Sequence, residues 1–211
     1  MKFRIVRACC ASLAVITLAG GCVPLVIGGG AMVGTMAAVD RRTTGAQIED
    51  EGIELRAVNR INQALPDSTV HINVTSYNRQ VLLTGEVPAA ADSQKAEQIV
   101  LGVDNVRSTV NDLGVMPAST LSERSKDSYI TGKVRAGLVD ARDLSANTFK
   151  VVTERGVVYL MGRVTEREAA RATEITRGVD GVRKVVRIFE TIPETEARQP
   201  VGKPPAESAA R

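Results

Sequence analysis

Apolar positions recur along this chain with two periods, and the order of those periods is repeated. Ile53, Ala57, Ile61 and Leu65 stand four apart, which lines one face of a helix and predicts a helix over 53–65. HINVTSY, 71–77, alternates as a strand does, and VLLTGEV, 81–87, follows it after a tight turn at Asn78-Arg79. Residues 89–101 return to the helical period with Ala96, Ile99 and Val100 inward, and Val106 and Val110 mark a third strand. Further on, Ile130, Val134 and Leu138 take the places of Ile53, Ala57 and Ile61, and FKVVTERGVVYLMGRV matches INVTSYNRQVLLTGEV with Arg155-Gly156 at the turn. EREAARATEITRGVDGV then parallels ADSQKAEQIVLGVDNV. The pattern describes an αββαβ unit, duplicated, with VLLTGEV and VYLMGRV as the central strands.

The fold class is therefore α+β, each unit a small three-stranded sheet with two helices packed on it. Gly85 and Gly162 sit inside strands, where glycine marks a bulge or a close backbone approach. Gly102 and Gly178 end helices, where a left-handed residue is expected. The first unit is placed at 46–115 and the second at 125–191, joined by a linker at 116–124 short enough to keep them in contact. Residues 192–211 hold four prolines and almost no large apolar groups, so a disordered tail is expected.

The N-terminus reads differently. Lys2, Arg4 and Arg7 precede the apolar run Ala11–Ala19 and the small residues Gly20 and Gly21, which predicts a signal peptide over 1–21. LAGGC resembles the bacterial lipobox, although Ala19 stands where leucine is usual, and the resemblance implies that Cys22 carries lipid. Loss of the leader removes Cys9 and Cys10, leaving Cys22 as the one cysteine, with no intrachain disulfide and no cysteine-based metal cluster. It also leaves 24 basic and 24 acidic side chains, a net charge of zero. Val23 rather than Asp after the cysteine points to the outer membrane. Residues 22–45 form a lipidated linker, whose apolar part to Val39, interrupted by Pro24 and four glycines, is too short to span a bilayer. It lies near the membrane surface or serves as a spacer.

The strand pair with VLLTGEV or VYLMGRV, and the following helix ending in GVDNV or GVDGV, resemble the BON domain. A lipobox followed by two such units is similar to the dual-BON outer-membrane lipoproteins linked to division sites and envelope stress. The resemblance implies a periplasm-facing protein that binds anionic phospholipid through the first helix of its second unit. It also allows association with outer-membrane assembly proteins.

The residues bear on that expectation. Unit one, 46–115, holds five basic and ten acidic side chains; unit two, over 121–190, holds fourteen and ten. An anionic surface attracts the second and repels the first, although the two could equally complement each other in an intramolecular dock. In helix 127–139 the core stripe is Ile130, Val134, Gly137 and Leu138, and Tyr129, Gly132, Lys133 and Ala136 fall on another face. A Tyr above a Lys, among small residues, suits a bilayer interface, so these four are the candidate lipid-binding residues. The equivalent face of unit one carries Arg56, Asn59 and the acidic Glu49-Asp50-Glu51. Arg163, Arg167, Arg171 and Arg177 alternate with glutamates, as a salt-bridged face does. No catalytic residue, metal ligand or cofactor is expected: the one histidine, His71, has no nucleophile motif beside it, and the carboxylates show no isolated pair. Zero net charge and few aromatics speak against nucleic acid. The competing expectation is a protein-interaction adaptor.

Overall fold

The computed structural model describes residues 40–65 and 70–198; the leader, Cys22, the apolar run and residues 199–211 lie outside the described residues. The first unit comprises α1 (Thr44–Ala64), β1 (His71–Tyr77), β2 (Gln80–Val87), α2 (Ala90–Leu101) and β3 (Ser108–Val115). The second comprises α3 (Leu121–Asp140), β4 (Phe149–Glu154), β5 (Val157–Val164), α4 (Glu166–Arg177), β6 (Lys184–Thr191) and the short α5 (Glu194–Ala197). α1 and α3 start well before their apolar stripes because a threonine caps each. Thr43 accepts from the Ala46 N–H, and Thr120 forms a capping box with Glu123. Residues 121–124 thus belong to α3 rather than to the linker.

Each sheet has its second strand in the middle, β1-β2-β3 and β4-β5-β6. That strand is antiparallel to the first and parallel to the third. A parallel neighbour requires a crossover, which α2 and α4 supply. On one face of the first sheet Val81 and Leu83 pack against Ile53, Ala57, Ile61, Ala96 and Val100. On the other, Leu82 and Tyr77 meet Tyr159, Met161 and Ile188 of the second unit. The two αββαβ units together thus form four layers, helices–sheet–sheet–helices. The central strands are buried on both faces, which is why VLLTGEV and VYLMGRV carry apolar runs in place of clean alternation.

Both hairpins close on two residues in the left-handed region, Asn78 and Arg79 (φ 49° and 67°) and Arg155 and Gly156 (φ 51° and 70°). The turn amides point inward onto a buried carboxylate of the preceding helix. Asp50 accepts the N–H groups of Asn78 and Arg79 at 2.7 Å each. Asp127 accepts those of Arg155 and Gly156 at 2.7 and 2.8 Å. Asp50 is therefore no part of an acidic outer face: it is 2% exposed, and its partners also include Ser76 Oγ and Arg42. Burial pushes its carboxyl pKa up, but the Arg79 N–H, the Ser76 hydroxyl and Arg42 outweigh it and hold the group below the usual range. Gly85 behaves as expected, since a Cβ there would stand 2.0 Å from the His71 carbonyl oxygen. Gly102 and Gly178 do not: both keep negative φ (−84° and −75°), and the left-handed step falls three residues on, at Asn105 and Gly181. The chain completes another tight turn before leaving each helix.

The seam between the sheets is built from like positions of the two units. Tyr77 Oη donates to the Thr148 carbonyl and accepts from the Arg163 N–H. Glu154, the counterpart of Tyr77, faces His71 and Glu86, the counterparts of Thr148 and Arg163. Arg155, at the tip of its hairpin, donates to the Gly85 and Asp112 carbonyls and to Glu86. Its counterpart Asn78 donates to Glu190. The stem before α1 is fastened too, because Arg41 grips Glu168 with both terminal nitrogens at 2.7 and 2.9 Å. Residues 192–198 are not the disordered tail expected there: Ile192 is buried, and Glu196 of α5 pairs with Arg163 at 2.6 Å; the rest of that expectation lies outside the described residues.

Candidate functional site

Helix α3 buries Asp127, Ile130, Val134 and Leu138 and turns its other side to solvent. On that side Leu121, Tyr129 and Val139 are 78%, 69% and 67% exposed. At 100° per residue these three share one face with Ser125, Ser128, Gly132 and Ala136. The result is an uncharged stripe about 27 Å long at 1.5 Å per residue. Beside Gly132 a Cβ would meet nothing within 4 Å. The four predicted residues thus stand together, and Tyr129 is clear of the first unit. Leu121 and Val139 complete the stripe. Sequence reasoning missed them because Leu121 lay in the expected linker and Val139 at the helix end; running the helical period back from Tyr129 to the Thr120 cap would have found Leu121.

Lys133 is held rather than reaching outward. Its Nζ donates to the Asp180 carbonyl at 2.5 Å and stands 4.9 Å from the centroid of the Tyr129 ring, within cation–π range. It props the ring from below. Open grooves flank the helix on both sides. One, of about 940 Å³, runs past Tyr129, Lys126, Arg183 and the linker. The other, of about 450 Å³, is bordered by Arg135, Val139, Lys150 and Asp40 of the stem. In α1 the positions of Tyr129, Gly132, Lys133 and Ala136 hold Gly52, Leu55, Arg56 and Asn59. Arg56 is paired with Glu49 at 2.7 Å. Of the arginines expected to form a salt-bridged face, Arg163 pairs with Glu190 and Glu196, Arg167 with Glu194, and Arg171 with Asp143 and Glu174.

The fold also assembles a carboxylate pair that spacing could not reveal. Glu86 and Glu154, 1% and 3% exposed, come together with His71 across the seam. Burial pushes the Glu154 carboxyl pKa up, while Glu86 is held below its ordinary value because the Ser119 N–H, His71 and Arg155 outweigh its burial.

The BON domain model matches residues 50–117 and again 126–192, the two units just described. The chain belongs to the BON-domain family. It is 40% identical over 172 residues to the outer membrane lipoprotein DolP of Haemophilus influenzae, covering 81% of this chain and 88% of that protein. It is 33% identical to the 21 kDa hemolysin of Actinobacillus pleuropneumoniae, over 73% and 80% of the two chains. With the osmotically-inducible protein Y of Escherichia coli the identity is 30%, over 63% of this chain and 69% of the relative. The chain is thus an outer-membrane lipoprotein with two BON domains. Among the described residues no helix is long and apolar enough to cross a membrane.

Proposed function

We propose that the second BON domain rests the outer face of α3 on anionic phospholipid at the periplasmic surface of the outer membrane, and that lipid on Cys22 supplies the primary anchor. The observation that carries this reading is the exposed Tyr129 at the middle of an uncharged stripe that the first domain leaves uncovered. An aromatic ring with a polar tip is favoured at headgroup depth. Lys126 and Arg183 on one side and Arg135 on the other border the stripe, where basic groups attract an anionic surface at about 1 kcal/mol each. The stem favours the same geometry. Asp40 borders the groove beside Val139, so the tether joins the body next to the docking helix. A lipid anchor and a second contact on one chain reinforce each other, because the first holds the second at high effective concentration.

The test is flotation of the unacylated chain, residues 23–211, with vesicles. Flotation with anionic but not zwitterionic vesicles, lost in Tyr129→Ala or with a charge placed on the stripe at Gly132→Glu, supports the reading. Failure to float with any vesicle overturns it. The adaptor reading draws on α1, where Ile48 and Leu55 are 65% and 64% exposed on the outer face. It is favoured if an outer-membrane assembly protein is retained by the wild-type chain and lost in Leu55→Glu.

A further inference from the structure

The buried cluster at the seam has the make-up of a cation site. His71 enters from the start of β1, Glu86 from its cross-strand partner position on β2, and Glu154 from the end of β4 in the other domain. One ligand-capable atom from each lies within 4.8 Å of the others, and His71 Nδ1 is 3.0 Å from Glu86 Oε2. Glu86 and Glu154 are both buried and of the two Arg155 bonds only Glu86, so a cation held between the two carboxylates would offset their mutual repulsion.

The outer oxygens are already held from behind. Arg155 takes Glu86 Oε1 at 3.0 Å, and Asn73 Nδ2 takes Glu154 Oε2 at 3.0 Å. Hydrogen bonds that fix the far oxygen of a carboxylate are the usual support of a metal ligand. The groove beside Tyr129 reaches Glu86 and Arg155, which gives an ion access from solvent. The counterpart end of the seam offers an internal control, because its equivalent positions carry Tyr77, Thr148 and Arg163, which supply no such set.

We propose that His71 Nδ1, Glu86 Oε2 and a carboxylate oxygen of Glu154 bind a first-row divalent transition-metal ion of the zinc type across the domain seam, with water completing the shell. One imidazole with two carboxylates is the mixed nitrogen–oxygen set that such ions accept at four-coordinate sites. The ion takes the place of the proton between His71 and Glu86, and the ligand atoms draw together around it. Because the ligands come from both domains, the ion acts as a clip on the seam and not as a catalyst.

The experiment uses the mature acylated chain in detergent, stripped with a chelator and titrated with Zn2+ in a calorimeter, with Co2+ absorption as a second readout. One ion per chain is expected, together with a rise in melting temperature that the chelator reverses. Glu154→Gln keeps the shape of the side chain, and His71→Ala removes the imidazole; each is expected to weaken binding at least about tenfold. Asn73→Ala is expected to weaken it less, and Tyr77→Phe at the counterpart end to leave it unchanged. Circular dichroism reports whether each variant is folded, and the cobalt spectrum reads ligand loss independently of stability. Absence of saturable binding overturns the proposal, as does Zn2+ affinity that is the same in wild type and Glu154→Gln. Stabilisation by acid alone, with no response to Zn2+, also overturns it.

Discussion

The two outer helices α1 and α3 occupy the same place in duplicated units and bury the same positions, yet they present different surfaces. Inward, Ile53, Ala57 and Ile61 correspond to Ile130, Val134 and Leu138, and Asp50 to Asp127. Outward, Gly52 stands where Tyr129 does, and Arg56 is paired with Glu49 where Lys133 supports an aromatic ring. Packing and the hairpin amides constrain the inner face in both copies. Among the described residues the outer face contributes no side chain to the core and makes only local polar contacts, so it could diverge at little cost to folding. The difference between the copies is therefore the part of the molecule most informative about function.

Four measurements break or sharpen that comparison. The strongest acts on what the copies share at the seam. Leu82→Ala is expected to cost about 3 kcal/mol, the middle of the range for a buried leucine. The urea transition should stay single, with both domains losing structure together; two separated transitions would show that the domains do not depend on each other. Next come the buried carboxylates. Asp50→Asn and Asp127→Asn each replace an acceptor of two turn amides and should cost about 2 kcal/mol. The Asp50 contribution depends on pH with a definite sign. The folded pKa lies below the unfolded value of about 3.9, so the stabilisation is complete above that value and is lost as pH falls through the folded pKa. The wild-type melting temperature should thus drop more steeply than that of Asp50→Asn as pH is lowered toward 3.

Exchange of the outer faces is the third measurement. Tyr129→Gly should lower anionic-vesicle affinity at least about tenfold, or about 1.4 kcal/mol. Gly52→Tyr in the same chain should not restore it, because the first domain is acidic. The smallest effect is at Gly132, which sits mid-helix with open space around it. Gly132→Ala should stabilise by about 0.8 kcal/mol and leave flotation intact, because a methyl group keeps the stripe uncharged; loss of flotation would mean that close approach at that point matters.

The duplication, the order of elements and the core faces of α1 and α3 were legible because each rests on local period and internal repeat, which the sequence displays directly. The Tyr129 face was legible for the same reason. Other features depend on distance in space. Asp50 looked like one of three consecutive acids until the hairpin folded back on it. Glu86 and Glu154 are 68 positions apart in the chain and approach only because the two sheets stack. Lys133 reads as a reaching cation, and only the turn at Asp180 reveals its tether. The left-handed residues Asn105 and Gly181 hid behind more conspicuous glycines three places earlier.

The seam has one more consequence. Because equivalent positions meet across it, with Tyr77 and Glu154 in exchanged roles and Leu82 facing Tyr159's side of the interface, its geometry is that of a two-fold homodimer contained in one polypeptide. A single-copy ancestor with this apolar sheet face would have needed a second molecule to cover it, at a level set by protein concentration. Fusion through the five residues 116–120 makes that association independent of abundance. It also frees each half to accept changes that a true dimer would have had to carry twice.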